Sequence, residues 1–336
     1  MKQNNIQIKS SGHQFSAYQT ESILDAGLNA GIALDYNCSN GSCGRCKAIV
    51  LEGKIEHLRK PDYRFSKTQQ TEQQVLLCCV SAASDLTIET IEAHSSVDIP
   101  YQTIDAKVIK LEKLNENHLI LHLRTPRSKT LRFLAGQHVQ ISFSDEITRY
   151  KAVASCPTNG MNLQFHVRKN DDNFSDYIFE KAKKSQKVTL EGPVGEFTLH
   201  EDATRPIMML AYETGFAPIK SLMESLVALE FTQPIHLYWF VSQSQGLYLD
   251  KFCHAWNDVM EKFKYSPILE ENLENHSLKE SVLITKVTDI FDSYDDLASW
   301  NIYMTAPHSK TAELHRLFSK WGISDSHYRL DMMESI

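Results

Sequence analysis

Cys38-Ser39-Asn40-Gly41-Ser42-Cys43-Gly44-Arg45-Cys46 sets three thiols in nine residues, with glycines between them. The C-x4-C-x2-C spacing, completed by one distant cysteine, is that of a plant-type [2Fe–2S] ligand set. Two irons sharing two sulfides need four thiolates, and a loop wrapped round one edge delivers three. Gly41 and Gly44 lack a Cβ, so the backbone can curl close and aim its N–H groups at sulfur. Structural zinc favours paired C-x2-C or His ligands, and a disulfide framework belongs to secreted chains. The spacing predicts Cys38, Cys43 and Cys46 as cluster ligands.

The fourth thiolate comes from Cys78-Cys79. Val75-Leu76-Leu77 reads as a strand leading inward, and Cys78 is the first thiol met. Cys79 is the alternative, and on a strand it would face the other side. Upstream of the loop, Ile6 to Ala17 alternates around Gly12 as a β-hairpin. Thr20 is placed to cap a helix from about Glu21, with Ile23, Leu24 and Leu28 on its buried stripe and Gly31 ending it. Lys47 to Glu52 and Leu86 to Glu92 read as strands, and the polar residues from Lys60 to Gln74 as a connection. Together these predict a compact β-grasp unit over residues 1–94.

Ser95 to Tyr101 reads as a linker. Short strands with turn signals between them then follow from Lys107, as in an antiparallel β-barrel over residues 101–200. After Glu201 the pattern becomes apolar runs alternating with helical stretches: Pro206 to Ala211, Ala217 to Leu229, Ile235 to Val241, Lys251 to Phe263. That alternation predicts a doubly wound parallel sheet over residues 201–336.

With 336 residues there is material for two or three domains. A formal charge of −7 argues against nucleic acid as a partner, since phosphate binding calls for a basic face. No apolar run approaches a membrane span. Met1-Lys2-Gln3-Asn4-Asn5 opens no signal-peptide pattern, and seven cysteines with four in cluster spacing fit a reducing compartment, so cytoplasm is the expectation. The histidines show no metal spacing.

The cluster loop, Leu77-Cys78-Cys79, Ser84-Asp85-Leu86, Ala135-Gly136-Gln137-His138, Gly192-Pro193-Val194-Gly195-Glu196-Phe197 and Thr214-Gly215-Phe216-Ala217-Pro218 resemble the ferredoxin-flavoprotein reductase family over essentially the whole chain. The resemblance implies that NAD(P)H gives a hydride to FAD, which passes single electrons to the cluster and on to a protein acceptor, an oxygenase or dehydrase component. A flavin is needed there because a nicotinamide delivers two electrons and a cluster takes one.

It also implies where the cofactors lie. Arg149 is the cation expected at the FAD pyrophosphate, with Lys151, Ala152, Ser155 and His166 beside the flavin. Ser175 stands at the helix that receives the pyrophosphate, and Thr214 and Gly215 belong to the nicotinamide side. Several positions depart from the family pattern. Lys151 replaces a stacking Tyr and Ala152 a hydrogen-bonding Ser, and Asp171-Asp172 replace glycines. Tyr212-Glu213 fill the place of two more glycines, Val241-Ser242 lack the phosphate-binding Arg, and Thr305 replaces a Cys. The terminal aromatic corresponds to Met333. Negative charge and bulk at phosphate positions favour an alternative function. In it the chain is a [2Fe–2S] carrier or accessory protein whose reductase-like domains act as a docking scaffold. Tyr238-Trp239 reads as sheet core.

Overall fold

A computed structural model describes residues 3–36, 39–93, 98–127, 129–169, 172–200, 204–242, 246–269 and 280–333. Cys38 and Asp171 lie outside the described residues, as do residues 95–97 of the expected linker.

The first unit opens with β1 (Gln3–Ile8) and β2 (Gln14–Tyr18), an antiparallel hairpin in register Ile6 to Phe15. Its inward residues alternate strictly, so one face is core and the other is exposed. Helix α1 (Ile23–Asn29) follows, and its N-cap is Ser22, not Thr20: the Asp25 N–H donates to the Ser22 hydroxyl at 3.0 Å. Gly31, at φ 79°, turns the chain out of the helix as expected. Strands β3 (Lys47–Glu52), β5 (Gln74–Leu76) and β7 (Leu86–Thr90) complete a sheet ordered β2-β1-β7-β3-β5. The central β1–β7 pair is parallel, and Ile23, Leu24 and Leu28 of α1 pack on the sheet. β4 (Ile55–His57) and β6 (Val80–Ala82) pair as a small second ribbon. The polar connection holds a short helix, α2 (Lys67–Thr71), started by a capping box between Ser66 and Gln69.

The middle unit has six strands: β8 (Gln102–Lys113), β9 (His118–Arg124), β10 (His138–Ser142), β11 (Thr148–Ala152), β12 (Asn162–Arg168) and β13 (Lys187–Val194). They run β11-β10-β13-β8-β9-β12. The ends meet where the Ala154 N–H donates to the Gln164 carbonyl at 2.8 Å, which nearly closes the barrel. Val139, Ile141, Phe165 and Leu190 fill it, and α3 (Asn173–Glu180) covers one end with Phe174 and Ile178.

The last unit is a parallel sheet ordered β16-β15-β14-β17-β18. Its strands are β14 (Ile207–Tyr212), β15 (Ile235–Val241), β16 (Phe263–Leu269), β17 (Asn301–Pro307) and β18 (Tyr328–Met333). Between them lie α4 (Phe216–Ala228), α5 (Asp250–Val259), α6 (Glu280–Asp292) and α7 (Thr311–Lys320). Met209, Ala211, Leu237 and Trp239 pack under α4 and α5, while Met208, Leu210 and Phe240 face Leu283, Val287 and Leu314 of α6 and α7. Both faces are covered, which is why β14 and β15 read as unbroken apolar runs. The order reverses beside β14, so the crevice beyond its C-terminal end is the topological switch point at which such sheets bind ligands. Among the described residues no helix is long and apolar enough to cross a membrane.

Candidate functional site

The cluster end is built by two strands. β3 begins directly after Cys46 and β5 ends at Leu76, and Lys47 pairs with Leu76. The Leu77 N–H donates to the Cys46 carbonyl at 2.8 Å, so Cys46 and Cys78 sit side by side with their sulfurs 3.3 Å apart. That separation is close to the edge of a thiolate tetrahedron round one metal, about 3.8 Å for bonds of about 2.3 Å. Both thiols are buried. The neighbouring Cys46 sulfur, together with burial, pushes the Cys78 thiol far up, so Cys78 is favoured as a thiolate only beside a cation.

The glycines form the cradle expected of them. Gly41 has φ 89°, and a Cβ there would stand 2.6 Å from the Cys79 sulfur; Gly44 has φ 73°, and its Cβ would strike the Tyr63 ring. The residues present fit the cluster. Cys43 is half-buried nearby in sequence, and among the described residues no three metal-ligating side chains converge. The orientation expected for Cys79 is corrected. The strand stops at Leu76 and Leu77–Cys79 form one 3-10 turn, so the two neighbours do not alternate faces; the Cys78 and Cys79 sulfurs are 3.7 Å apart.

On the barrel, β11 carries Arg149 to the N-terminus of α3. The cap there is Asp172: the Ser175 N–H donates to the Asp172 carboxylate at 2.6 Å, and the Ser175 hydroxyl donates to the Asp172 carbonyl at 3.0 Å. The second Asp172 oxygen lies 3.9 Å from Arg149 Nε. Partial burial opposes ionisation of Asp172, yet the Ser175 N–H and hydroxyl, with Lys151 and Arg149 nearby, hold its carboxyl below the usual value. Arg149 and the α3 N-terminus therefore converge as an anion seat, and the chain's own carboxylate sits in it.

The residues expected beside the flavin divide. Lys151 is half-buried on β11, and Tyr150 is exposed. Ala152 and Ala154 pack against Ala217 of α4. The Ser221 hydroxyl donates to the Ser155 carbonyl at 2.8 Å, and buried Lys220 donates to the Ala154 carbonyl at 3.2 Å and pairs with Glu224 at 2.5 Å. This segment thus staples the barrel to the parallel-sheet unit. His166 is buried, with Nδ1 2.9 Å from the Tyr248 hydroxyl and no partner at Nε2. Burial first, then Lys220, lowers its pKa well below the ordinary value, so the ring is neutral.

At the switch point, Glu213, Thr214 and Gly215 form the turn from β14 into α4. Glu213 takes φ 49°, a left-handed conformation that costs a side-chain-bearing residue about 1 kcal/mol. The Ser242 N–H donates to its carboxylate at 2.9 Å, Arg168 Nη1 lies 3.7 Å away, and the Trp239 indole N–H donates to its carbonyl at 3.0 Å. Trp239 is wholly buried and stacked on Phe216, as core. Sequence reasoning saw Glu213 as added charge but not its partner Arg168, which reaches it from the barrel. The signal was an acidic residue in a βα turn where close backbone approach calls for glycine.

An iron-binding cysteine loop, a nearly closed barrel and a doubly wound sheet, in that order, define a three-domain iron–sulfur electron-transfer protein of reductase architecture. Residues 6–84 match the 2Fe-2S iron-sulfur cluster binding domain, and residues 105–199 match the oxidoreductase FAD-binding domain. The chain belongs to the ferredoxin-flavoprotein reductase family. It is 33% identical to the terephthalate 1,2-dioxygenase reductase component 1 of Comamonas sp, over 77% of each chain. It is 28% identical to the CDP-6-deoxy-L-threo-D-glycero-4-hexulose-3-dehydrase reductase of Yersinia pestis, over 97% of each chain. Among solved structures, the ferredoxin reductase in carbazole 1,9a-dioxygenase superposes with a TM-score of 0.55 at 19% identity, covering 98% of each chain.

Proposed function

We propose that this chain is an NAD(P)H-dependent flavoprotein reductase that delivers single electrons through a [2Fe–2S] cluster to a protein acceptor, an oxygenase or dehydrase component, in the cytoplasm. Residues 1–94, 101–200 and 201–336 serve as its cluster, flavin and nicotinamide domains. The observation that carries this reading is the buried Cys46–Cys78 pair at 3.3 Å, placed at the front of a reductase-type barrel and parallel sheet. FAD, when bound, would supply the conversion between two-electron and one-electron chemistry, and the cluster would supply a one-electron store.

The chain's own residues hold and orient. Cys38, Cys43, Cys46 and Cys78 are the proposed iron ligands. Arg149 and the first turn of α3 would meet the FAD pyrophosphate, and Thr214 and Gly215 would meet the nicotinamide dinucleotide. Neutral His166 keeps an imidazole nitrogen for a ligand without adding charge. The Ala154–Ser155 contacts with Lys220 and Ser221 fix the barrel against α4, which sets the distance between the flavin and nicotinamide seats.

A second reading, a carrier whose cluster is reduced by another protein, is favoured by the two internal ion pairs, Arg149 with Asp172 and Arg168 with Glu213. One experiment separates them. Purified protein is assayed for iron and released flavin, then titrated anaerobically with NADH while its visible bands are followed. Flavin content with bleaching of both chromophores is expected. Iron without flavin, even after FAD is added, would turn the assignment to the carrier; colourless, iron-free protein after reconstitution would sink both.

A further inference from the structure

The first βα turn at the switch point of a doubly wound sheet is where a dinucleotide's phosphates meet the helix N-terminus. Here that turn holds a buried carboxylate. Glu213 stands in a left-handed conformation suited to glycine, with one oxygen taking the Ser242 N–H and the other facing Arg168. Gly246 lies close enough that a Cβ on it would come within 3.4 Å of the carboxylate. Beside the turn lies a buried polar group without a hydrogen-bond partner. His166 is 3% exposed, its Nε2 has no partner, and its ring stacks on Phe216, the first residue of α4.

We propose that Glu213 is a resident anion in the phosphate seat of the nicotinamide dinucleotide, and that it sets the affinity by competing with phosphate for Arg168. This inference rests on the reductase reading above. The pairing runs across domains, from the last residue of β12 to the turn after β14, so the latch closes only when barrel and sheet are docked. Dinucleotide binding displaces the carboxylate, and the Arg168 guanidinium, partly exposed on one side, transfers from Glu213 to the incoming phosphate. Two like charges at van der Waals distance cannot both occupy the seat. Affinity is therefore low in the native chain and rises when the resident charge is removed.

The test uses full-length protein with its cluster and titrates NAD+, which binds without transferring electrons, by quenching of tryptophan fluorescence. Glu213→Gln is expected to tighten NAD+ by roughly tenfold or more. Arg168→Gln should weaken it, and Glu213→Gln placed in the Arg168→Gln background should gain much less than in the native chain. Should Glu213→Gln fold poorly by circular dichroism, Glu213→Gly makes the same charge change in a backbone that suits glycine. Unchanged affinity in Glu213→Gln or Glu213→Gly overturns the latch. If native protein contains flavin that NADH bleaches, that failure is the latch's alone; if no variant binds NAD+ and none contains flavin, the reductase reading fails with it.

Discussion

Cys78 and Cys79 share a single 3-10 turn, and their sulfurs lie 3.7 Å apart, both buried under the cluster loop. Cys78 also stands 3.3 Å from Cys46. A ligand must share an iron with a partner thiolate, so Cys78 is expected to bind and Cys79 to pack against Gly41. Cys46→Ser and Cys78→Ser should each lose the visible absorption and most of the iron. Cys79→Ser should keep both. Loss of the cluster in Cys79→Ser with retention in Cys78→Ser would reverse the assignment.

Asp35 joins the cluster loop to the barrel. Its Oδ1 lies 2.7 Å from Arg132 Nη1 and 3.3 Å from Arg45 Nε, and the Arg132 side chain is only 4% exposed. Removing Asp35 leaves a buried guanidinium uncompensated, which costs about 3 kcal/mol. Asp35→Ala should lower the urea midpoint accordingly. Adding Arg132→Leu to it should recover most of the loss, because the stranded charge is gone. A double variant no more stable than Asp35→Ala would show that the pair is not what holds the two units together.

Asp172 does two things, and one substitution separates them. Asn caps a helix as well as Asp does, so Asp172→Asn keeps the bond from the Ser175 N–H and removes the charge facing Arg149. FAD affinity, measured by titrating flavin-stripped protein, should rise by about tenfold. Thermal stability near neutral pH should fall slightly, because the ionised carboxylate's contribution goes with the charge. Because the folded carboxyl is held below its ordinary value of 3.8, its contribution is complete above that value and is lost only on further acidification. Unaltered FAD affinity in Asp172→Asn would place the pyrophosphate away from α3.

The domain order was legible because period-2 and unbroken apolar runs report directly whether a strand has one covered face or two. The cluster loop was legible because three of its cysteines fall at a characteristic local spacing. What stayed hidden depends on geometry that apolar pattern does not encode. Val75 to Cys79 is uniformly apolar, so the switch from strand to 3-10 turn at Leu77 left no trace, and with it went the orientation of Cys79. Ser175 and Asp172 both suit a helix start, and the capping geometry chose the earlier residue. Arg168 and Glu213 meet only through docking of two domains, so their pairing has no sequence spacing to announce it.

His118 gives the fold a pH dependence of definite sign. It is buried beneath Tyr248, whose ring stacks on it at 4.6 Å, and its Nδ1 is 3.1 Å from Asn115 Oδ1. Burial first, then Arg168, pushes its pKa down from 6.5 to about 4. Between those values the unfolded chain binds a proton that the native ring refuses, so stability falls as pH falls through the window and levels off below about 4. The shift corresponds to roughly 3 kcal/mol across the window. His166, lowered by burial as well, adds to the same slope. Urea midpoints measured at pH 7 and pH 5 should therefore differ, with the lower pH less stable. His118→Phe keeps an aromatic face for Tyr248 and removes the titrating group, so the difference should shrink while that of His166→Gln shrinks independently. A midpoint difference identical in native protein and His118→Phe would mean that this ring is protonated alike in both states.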